Sequence, residues 1–145
     1  AAEWKPPGAE GGNENALADA VLVDAPCSST GTIRRHPDVA RLKTPEDVTK
    51  LAQVQDRLLV AALELVRPGG IIVYCSCSLQ PEEGPDRIAA LLESGAPVTQ
   101  DAISRDEIIG SEEWISSDGV LRCLPCHLAD LGGMDGFFAA RLRHA

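Results

Sequence analysis

Two short runs of consecutive apolar residues, Val21-Leu22-Val23 and Ile71-Ile72-Val73, stand out from a chain that elsewhere mixes apolar and polar positions. Uninterrupted β-branched runs of this length suit strands buried on both faces of a parallel sheet. Strands are therefore expected over about residues 19–24 and 70–76. Between them, Val48, Leu51, Ala52, Gln55, Leu58, Leu59, Ala62, Leu63 and Val66 recur at helical spacing, with Gln55 the one polar member. Thr44 can cap this helix, Pro45 suits its first position, and Glu46 and Asp47 favour the positive end of its dipole. Arg67-Pro68-Gly69-Gly70 stops it. A shorter helix is expected over residues 85–94, with Ile88, Leu91 and Leu92 on its inner face and Gly95 beyond its end.

The remaining segments carry weaker periodicity. Residues 5–15 are polar and rich in Pro and Gly, a loop; residues 30–43 have turn chemistry and read as an ordered loop; a short helix is placed within 107–114. Two closing strands, 120–124 and 136–142, are joined by a connection containing Gly132-Gly133 and Asp135-Gly136, which suggests an antiparallel hairpin. Strand–helix–strand–helix order implies right-handed parallel crossovers. Two such units and a hairpin make a thin α/β domain, because a doubly wound nucleotide fold has about six strands and a Gly-rich first turn. The chain opens on Ala1-Ala2-Glu3-Trp4 without an initiator Met. The expectation is a single partial domain over residues 1–145, the carboxyl half of something larger, whose unpaired sheet edge invites self-association.

Composition narrows the function. With 13 basic and 22 acidic side chains the net charge is −9, so the bulk field does not attract a polyanion. Arg34, Arg35 and Arg41, with His36 among them, form the one basic cluster near the first apolar run. No apolar stretch approaches the ~20 residues of a membrane span, and no secretory leader opens the chain. A cytoplasmic protein with reduced thiols is the expectation, since the five cysteines are an odd number and make a disulfide framework a poor reading.

The two apolar runs each deliver a thiol. The first leads into Asp24-Ala25-Pro26-Cys27-Ser28-Ser29-Thr30-Gly31, the second into Tyr74-Cys75-Ser76-Cys77-Ser78-Leu79. Chemistry in parallel sheets collects beyond the carboxyl ends of the strands, so two sulfurs and the Asp24 carboxylate are expected at one rim. Turns after strands expose backbone N–H groups, which can draw a thiol toward thiolate, and a thiolate is suited to adding across an electron-poor double bond. Cys75 reads as structural.

These residues resemble a known family. The segment from Asp24 to Gly31, with Ile33-Arg34-Arg35-His36-Pro37-Asp38 behind it, is similar to the signature of the RNA cytosine-5 methyltransferases, the NOL1/NOP2/Sun proteins, and more closely to their bacterial 16S ribosomal RNA branch. Tyr74-Cys75-Ser76-Cys77-Ser78-Leu79-Gln80-Pro81-Glu82-Glu83 resembles the second cysteine motif, and Met134-Asp135-Gly136-Phe137-Phe138-Ala139-Ala140-Arg141-Leu142 the carboxyl-terminal one. The resemblance implies the carboxyl half of a Rossmann-like class I methyltransferase fold, parallel strands closed by an antiparallel hairpin. It further implies methyl transfer from S-adenosylmethionine to carbon 5 of cytosine in RNA. In that family Cys77 would be the nucleophile at carbon 6, and Cys27 would help remove the carbon 5 proton and release product. Asp24 would hold the sulfonium end of the cofactor and the cytosine edge, with Pro26 a backbone contact. Arg34, Arg35 and His36 would meet RNA, and the target base must leave its stack to reach the pocket. Two departures stand out: Ser76 where Thr is commoner, and Gly84-Pro85 where Asn-Glu is usual. The family's cofactor loop and basic amino-terminal region have no counterpart here, so the piece alone is expected to be inactive.

Other readings compete. A zinc site from Cys75-x-Cys77 with Cys123, Cys126 and His127 needs two facing knuckles, and Cys-x-Cys on a buried strand is poor geometry for one. Cys123-Leu124-Pro125-Cys126 does not open a helix after a strand, as a redox pair would. An amino-group methyltransferase would carry an aromatic residue where Cys27 stands. A non-catalytic module that binds RNA or a partner is the remaining alternative. Trp4 and Trp114 read as local packing, His36 as a capping or phosphate contact, and Glu82 and Glu83 as charges at a helix start.

Overall fold

The computed structural model describes residues 17–108 and 112–145. The expected loop over residues 5–15 and the Trp4 packing lie outside these residues. Among the described residues five strands form one sheet: β1 (Ala18–Asp24), β2 (Val66–Ser76), β3 (Val98–Gln100), β4 (Leu121–Cys123) and β5 (Phe137–His144). Its order is β1-β2-β5-β3, with β4 also on β5. Helices α1 (Val39–Leu42), α2 (Pro45–Leu65) and α3 (Pro85–Glu93) complete the fold.

β1 and β2 run parallel, joined by α2 as a β–α–β crossover, with Asp24 opposite Cys75. The start of α2 is the capping box expected there: the Asp47 N–H donates to Thr44 Oγ1 at 3.3 Å, and the Thr44 N–H to the Asp47 carboxylate at 3.0 Å. The end differs slightly. α2 stops at Leu65 and β2 begins at once with Val66, opposite Ala18; the register then skips so that Ala20 faces Ile71. The Arg67–Gly70 stretch is absorbed as an irregularity, with Gly69 at a φ of 75°.

β5 does more than close a hairpin. It pairs antiparallel with β2 on one side and with both β4 and the unforeseen β3 on the other, which makes it central. Its small and apolar run earns that place: Phe138, Ala139, Ala140 and Leu142 are all buried. The core joins them to Leu59 and Ala62 of α2, Ile88 and Leu91 of α3, and Ile72 and Tyr74 of β2. Tyr74 and Phe138 meet edge to face, centroids 6.3 Å apart. Gly84 lies under the Phe138 ring, where a Cβ would sit 3.1 Å from it. A bare glycine before Pro85 therefore starts α3 without a side-chain cap.

Several expectations need correction. Neither apolar run is fully buried on both faces: in β2 Ile72 is buried while Ile71 and Val73 are half-buried, and in β1 Leu22 is 68% exposed. The reason for β1 is position: among the described residues it ends the sheet, with β2 its one partner. A groove of about 570 Å³ lines that edge, walled by Val21, Leu22, Val54, Leu58 and Leu65. Residues 30–43 are not wholly loop, for they hold a 3₁₀ turn at Thr30–Thr32 and the single-turn α1. The short helix expected within 107–114 falls partly outside the described residues, and those on either side form 3₁₀ turns at Arg105–Glu107 and Glu112–Trp114. Among the described residues no helix is long and apolar enough to cross a membrane.

Because Phe138 fills the junction of β5, β2 and α3, Phe138→Ala should cost ~3–5 kcal/mol of stability. Urea unfolding with an unchanged m-value is the measurement, and a loss under ~1 kcal/mol would show that the ring is not central.

Candidate active site

Parallel pairing brings the ends of β1 and β2 to one rim, and each strand turns there. The β1 turn is held by the Ala25 N–H, which donates to the Cys75 carbonyl at 2.9 Å. Beyond it Asp24 and Pro26 are exposed, and Cys27 and Cys77 are half-buried. The two sulfurs stand 3.4 Å apart. Ser29, in the left-handed region at a φ of 60°, turns the chain so that its hydroxyl lies 3.6 Å from the Cys77 sulfur. Cys75 points elsewhere: it is buried, with its thiol 3.6 Å from the Val23 carbonyl and 3.8 Å from Asp24.

Close backbone approach completes the junction. The Gly31 N–H donates to the Cys77 carbonyl at 2.9 Å, and the Gly136 N–H to the Gly31 carbonyl at 2.8 Å. A Cβ on Gly31 would collide with the carbonyl oxygens of Gly136 and Cys77, so only glycine lets the three segments meet. Side chains add a second tie. The Leu79 N–H donates to Thr30 Oγ1 at 2.9 Å, Ser78 lies 3.2 Å from both Ser28 and Thr30, and Arg122 of β4 donates to the Leu79 carbonyl at 2.7 Å.

Glu83 is where the sequence reading failed. Glu82 is an exposed charge, but Glu83 is fully buried and lies in no ion pair among the described residues. Its carboxylate accepts the Ser28 N–H at 2.9 and 3.1 Å, the Ser28 hydroxyl, and the Gln55 amide at 3.3 Å. Its carbonyl accepts from the Tyr74 hydroxyl at 2.9 Å and the Ser76 hydroxyl at 3.0 Å. Gln55 also donates to the Pro26 carbonyl at 2.9 Å. One signal was available: Gln55 is the lone polar residue on an apolar stripe, and a buried amide needs a partner.

Thiol electrostatics correct a second expectation. Burial pushes the Cys27 thiol up to about 11, outweighing the opposing backbone hydrogen bond from Ser29. Turn geometry does supply the N–H, but desolvation of the anion is the larger effect. Cys75 is likewise pushed to about 11, by burial first and the Asp24 charge second.

The basic cluster is present but engaged. Arg35 donates to Asp135, its Nε at 2.7 Å, and Arg34 to the Gly132 carbonyl. Arg35 holds the Asp135 carboxyl below its usual range, and Arg35 itself is raised by Asp135 and, more weakly, by Cys77. Both arginines keep exposed side chains, as does His36. Asp24 takes part in no ion pair among the described residues. Asp24 is thus an exposed, uncompensated carboxylate at the end of β1, and the thiol nearest it is that of Cys75, at 3.8 Å.

Among the described residues no three His, Cys, Asp or Glu side chains converge as metal ligands. Cys123 is buried and Cys126 exposed, while His127 stacks on Trp114 with centroids 5.5 Å apart.

Residues 5–143 match the family described as 16S rRNA methyltransferase RsmB/F. Ribosomal RNA small subunit methyltransferase B of Enterobacter sp. (strain 638) is 48% identical over 81 residues, covering 56% of this chain and 19% of that protein. The enzyme of the same name from Salmonella paratyphi B is 43% identical over 104 residues, 66% of this chain and 24% of that one. The chain thus spans about a fifth to a quarter of these relatives. Among solved structures, PH0851 superposes with a TM-score of 0.73 at 31% identity, over 86% of this chain and 26% of that one. NSun6 from Pyrococcus horikoshii with SFG gives 0.66 at 26% identity, over 85% of this chain and 29% of that one.

The thiol shifts carry a sign for stability. Cys27 and Cys75 bind protons more tightly folded than unfolded, so their contribution is full below about pH 9 and is lost as pH rises through about 11. Urea midpoints should therefore fall between pH 9 and about 11 in the native chain, and fall less in a Cys27→Ala, Cys75→Ala variant. Equal slopes for the two proteins would contradict the assignment.

Proposed function

This chain belongs to the 16S rRNA methyltransferase RsmB/F family, and from that premise we propose that it forms the catalytic part of an enzyme that methylates carbon 5 of cytosine in ribosomal RNA through a covalent cysteine adduct. The observation that carries the reading is the pair of sulfurs 3.4 Å apart at one sheet rim, in the turn that follows the exposed Asp24. Attack at carbon 6 and proton removal at carbon 5 concern neighbouring atoms of one ring. Two thiols this close serve both without a domain movement.

Cys77 is the nucleophile. Its sulfur adds to carbon 6, and the electron pair of the double bond moves to carbon 5, where it would form the new bond to the methyl group. Cys27 stays protonated at neutral pH, so it donates to the Cys77 sulfur before attack. Capture of the Cys77 sulfur in the adduct removes the neighbouring charge and hydrogen bond that help raise Cys27, so the Cys27 proton can then pass to solvent and the thiolate left behind accepts the carbon 5 proton. Loss of that proton restores the double bond, and the bond from Cys77 to carbon 6 breaks to free the thiolate. Asp24 accepts hydrogen bonds from the cytosine edge, which takes up a proton from solvent as the thiolate adds.

S-Adenosylmethionine supplies the methyl group when bound, and the analogue SFG in the NSun6 relative supports its use. Asp24, with Pro26 beside it, would hold the sulfonium end. Arg34, Arg35 and His36 form the exposed basic rim that meets RNA phosphates, the local positive charge that the chain as a whole lacks. Arg35 also places a guanidinium close enough to Cys77 to be influenced by it.

In the full-length protein, Cys77→Ser should abolish the covalent RNA adduct seen on denaturing gels. Cys27→Ser should accumulate it, because addition proceeds while release fails. Equal adduct levels in the two variants would refute this division of roles.

A further inference from the structure

Glu83 is a fully buried carboxylate that no step above uses. Burying a carboxylate away from a cation is expensive, and an apolar side chain of similar size often serves stability as well. Its surroundings also leave Gln55 Oε1 buried without a partner. A second cost at the same point indicates that this polar bridge does something that apolar packing would not.

The bonds are directional. Glu83 lies on the β2 side, six residues past Cys77, yet its carboxylate takes every donor from residues bound to the Cys27 turn. Ser28, next to Cys27, gives its N–H and its hydroxyl; Gln55 gives one amide that also grips the Pro26 carbonyl on the other side of Cys27. The peptide is therefore held both before and after Cys27. Cys77 is anchored differently, by the Gly31 N–H on its own carbonyl and by the β2–β5 ladder, where Ser76 faces Phe138. Neither bond involves the Glu83 carboxylate, which reaches the Cys77 side only at second hand, through the Ser28 hydroxyl 3.2 Å from that of Ser78.

We propose that Glu83, oriented by Gln55, is a positioning residue that holds Cys27 against Cys77 for the release step. The assignment rests on the adduct mechanism proposed above. Losing the carboxylate would let the Cys27 sulfur drift from the carbon 5 proton while Cys77 kept its aim at carbon 6. Addition would continue and release would slow.

The test uses the full-length protein, unmodified small-subunit ribosomal RNA transcribed in vitro, and S-adenosylmethionine, in single-turnover quench experiments that time adduct formation and adduct decay separately. Glu83→Gln keeps the shape but turns a donor toward the Ser28 N–H. It should leave formation within about threefold of the native rate and slow decay ~10–100-fold, the scale of a small misplacement. The ratio of the two rates is the decisive quantity, because unfolded molecules contribute to neither and simple destabilisation leaves it unchanged. Ser28→Ala, which removes one donor, should move the ratio the same way by a smaller factor, and it decides the matter if Glu83→Gln gives no soluble protein. An unchanged ratio, with adduct plainly formed, would overturn the role of Glu83 alone. Absence of adduct in the native protein would overturn this role and the adduct mechanism together.

Discussion

Asp24 faces Cys75 across the parallel ladder of β1 and β2, and the geometry of the rim follows from that pair. Neighbouring strands are held about 4.8 Å apart by their hydrogen bonds. Cys27 lies three residues beyond the pair and Cys77 two, so both thiols leave the sheet at the same level. The left-handed turn at Ser29 and the tie from Gly31 to Cys77 then fold the longer branch back until the sulfurs approach. A shift of one residue in this ladder would send alternate side chains to the opposite face and separate the thiols.

The junction is polar where a core is usually apolar. Ser28, Gln55, Ser76, Ser78 and Glu83 are all buried, directly beneath the half-buried thiols. A network of this kind is stabilising only when nearly every member finds a partner, and then it specifies one arrangement in place of several. Apolar packing lies just below it, where Phe138, Tyr74 and Leu59 carry the hydrophobic share of the stability. Rigidity and chemistry are thus separated by about one layer of side chains.

Charge divides in the same way. The chain is acidic overall, at −9, yet Arg34 and Arg35 stand together just past the Cys27 turn. Asp135 organises them, accepting from Arg35 and lying near Arg34. The pairing ties the loop that precedes β5 to the segment after the Cys27 turn while leaving the guanidinium groups exposed.

Much of this was legible from local pattern. The apolar runs placed β1 and β2, the Thr44-Pro45 cap placed the start of α2, and the two cysteine motifs named the thiols that meet. β3 was missed because three residues carry too little periodicity, and the exposed outer face of β1 because an apolar run does not reveal which neighbours cover it. Glu83 was misread because its role is set at long range: its partners Ser28 and Gln55 are 55 and 28 residues away. The direction of the Cys27 shift failed for the same reason, since a turn is visible in sequence but burial is not. Periods of two and 3.6 are properties of neighbouring residues, so the chain alone determined which segments become strands and helices and which side chains stand at their ends. Burial, proton affinity and the facing of one buried group by another depend on contacts between distant segments, and those only the assembled fold decided.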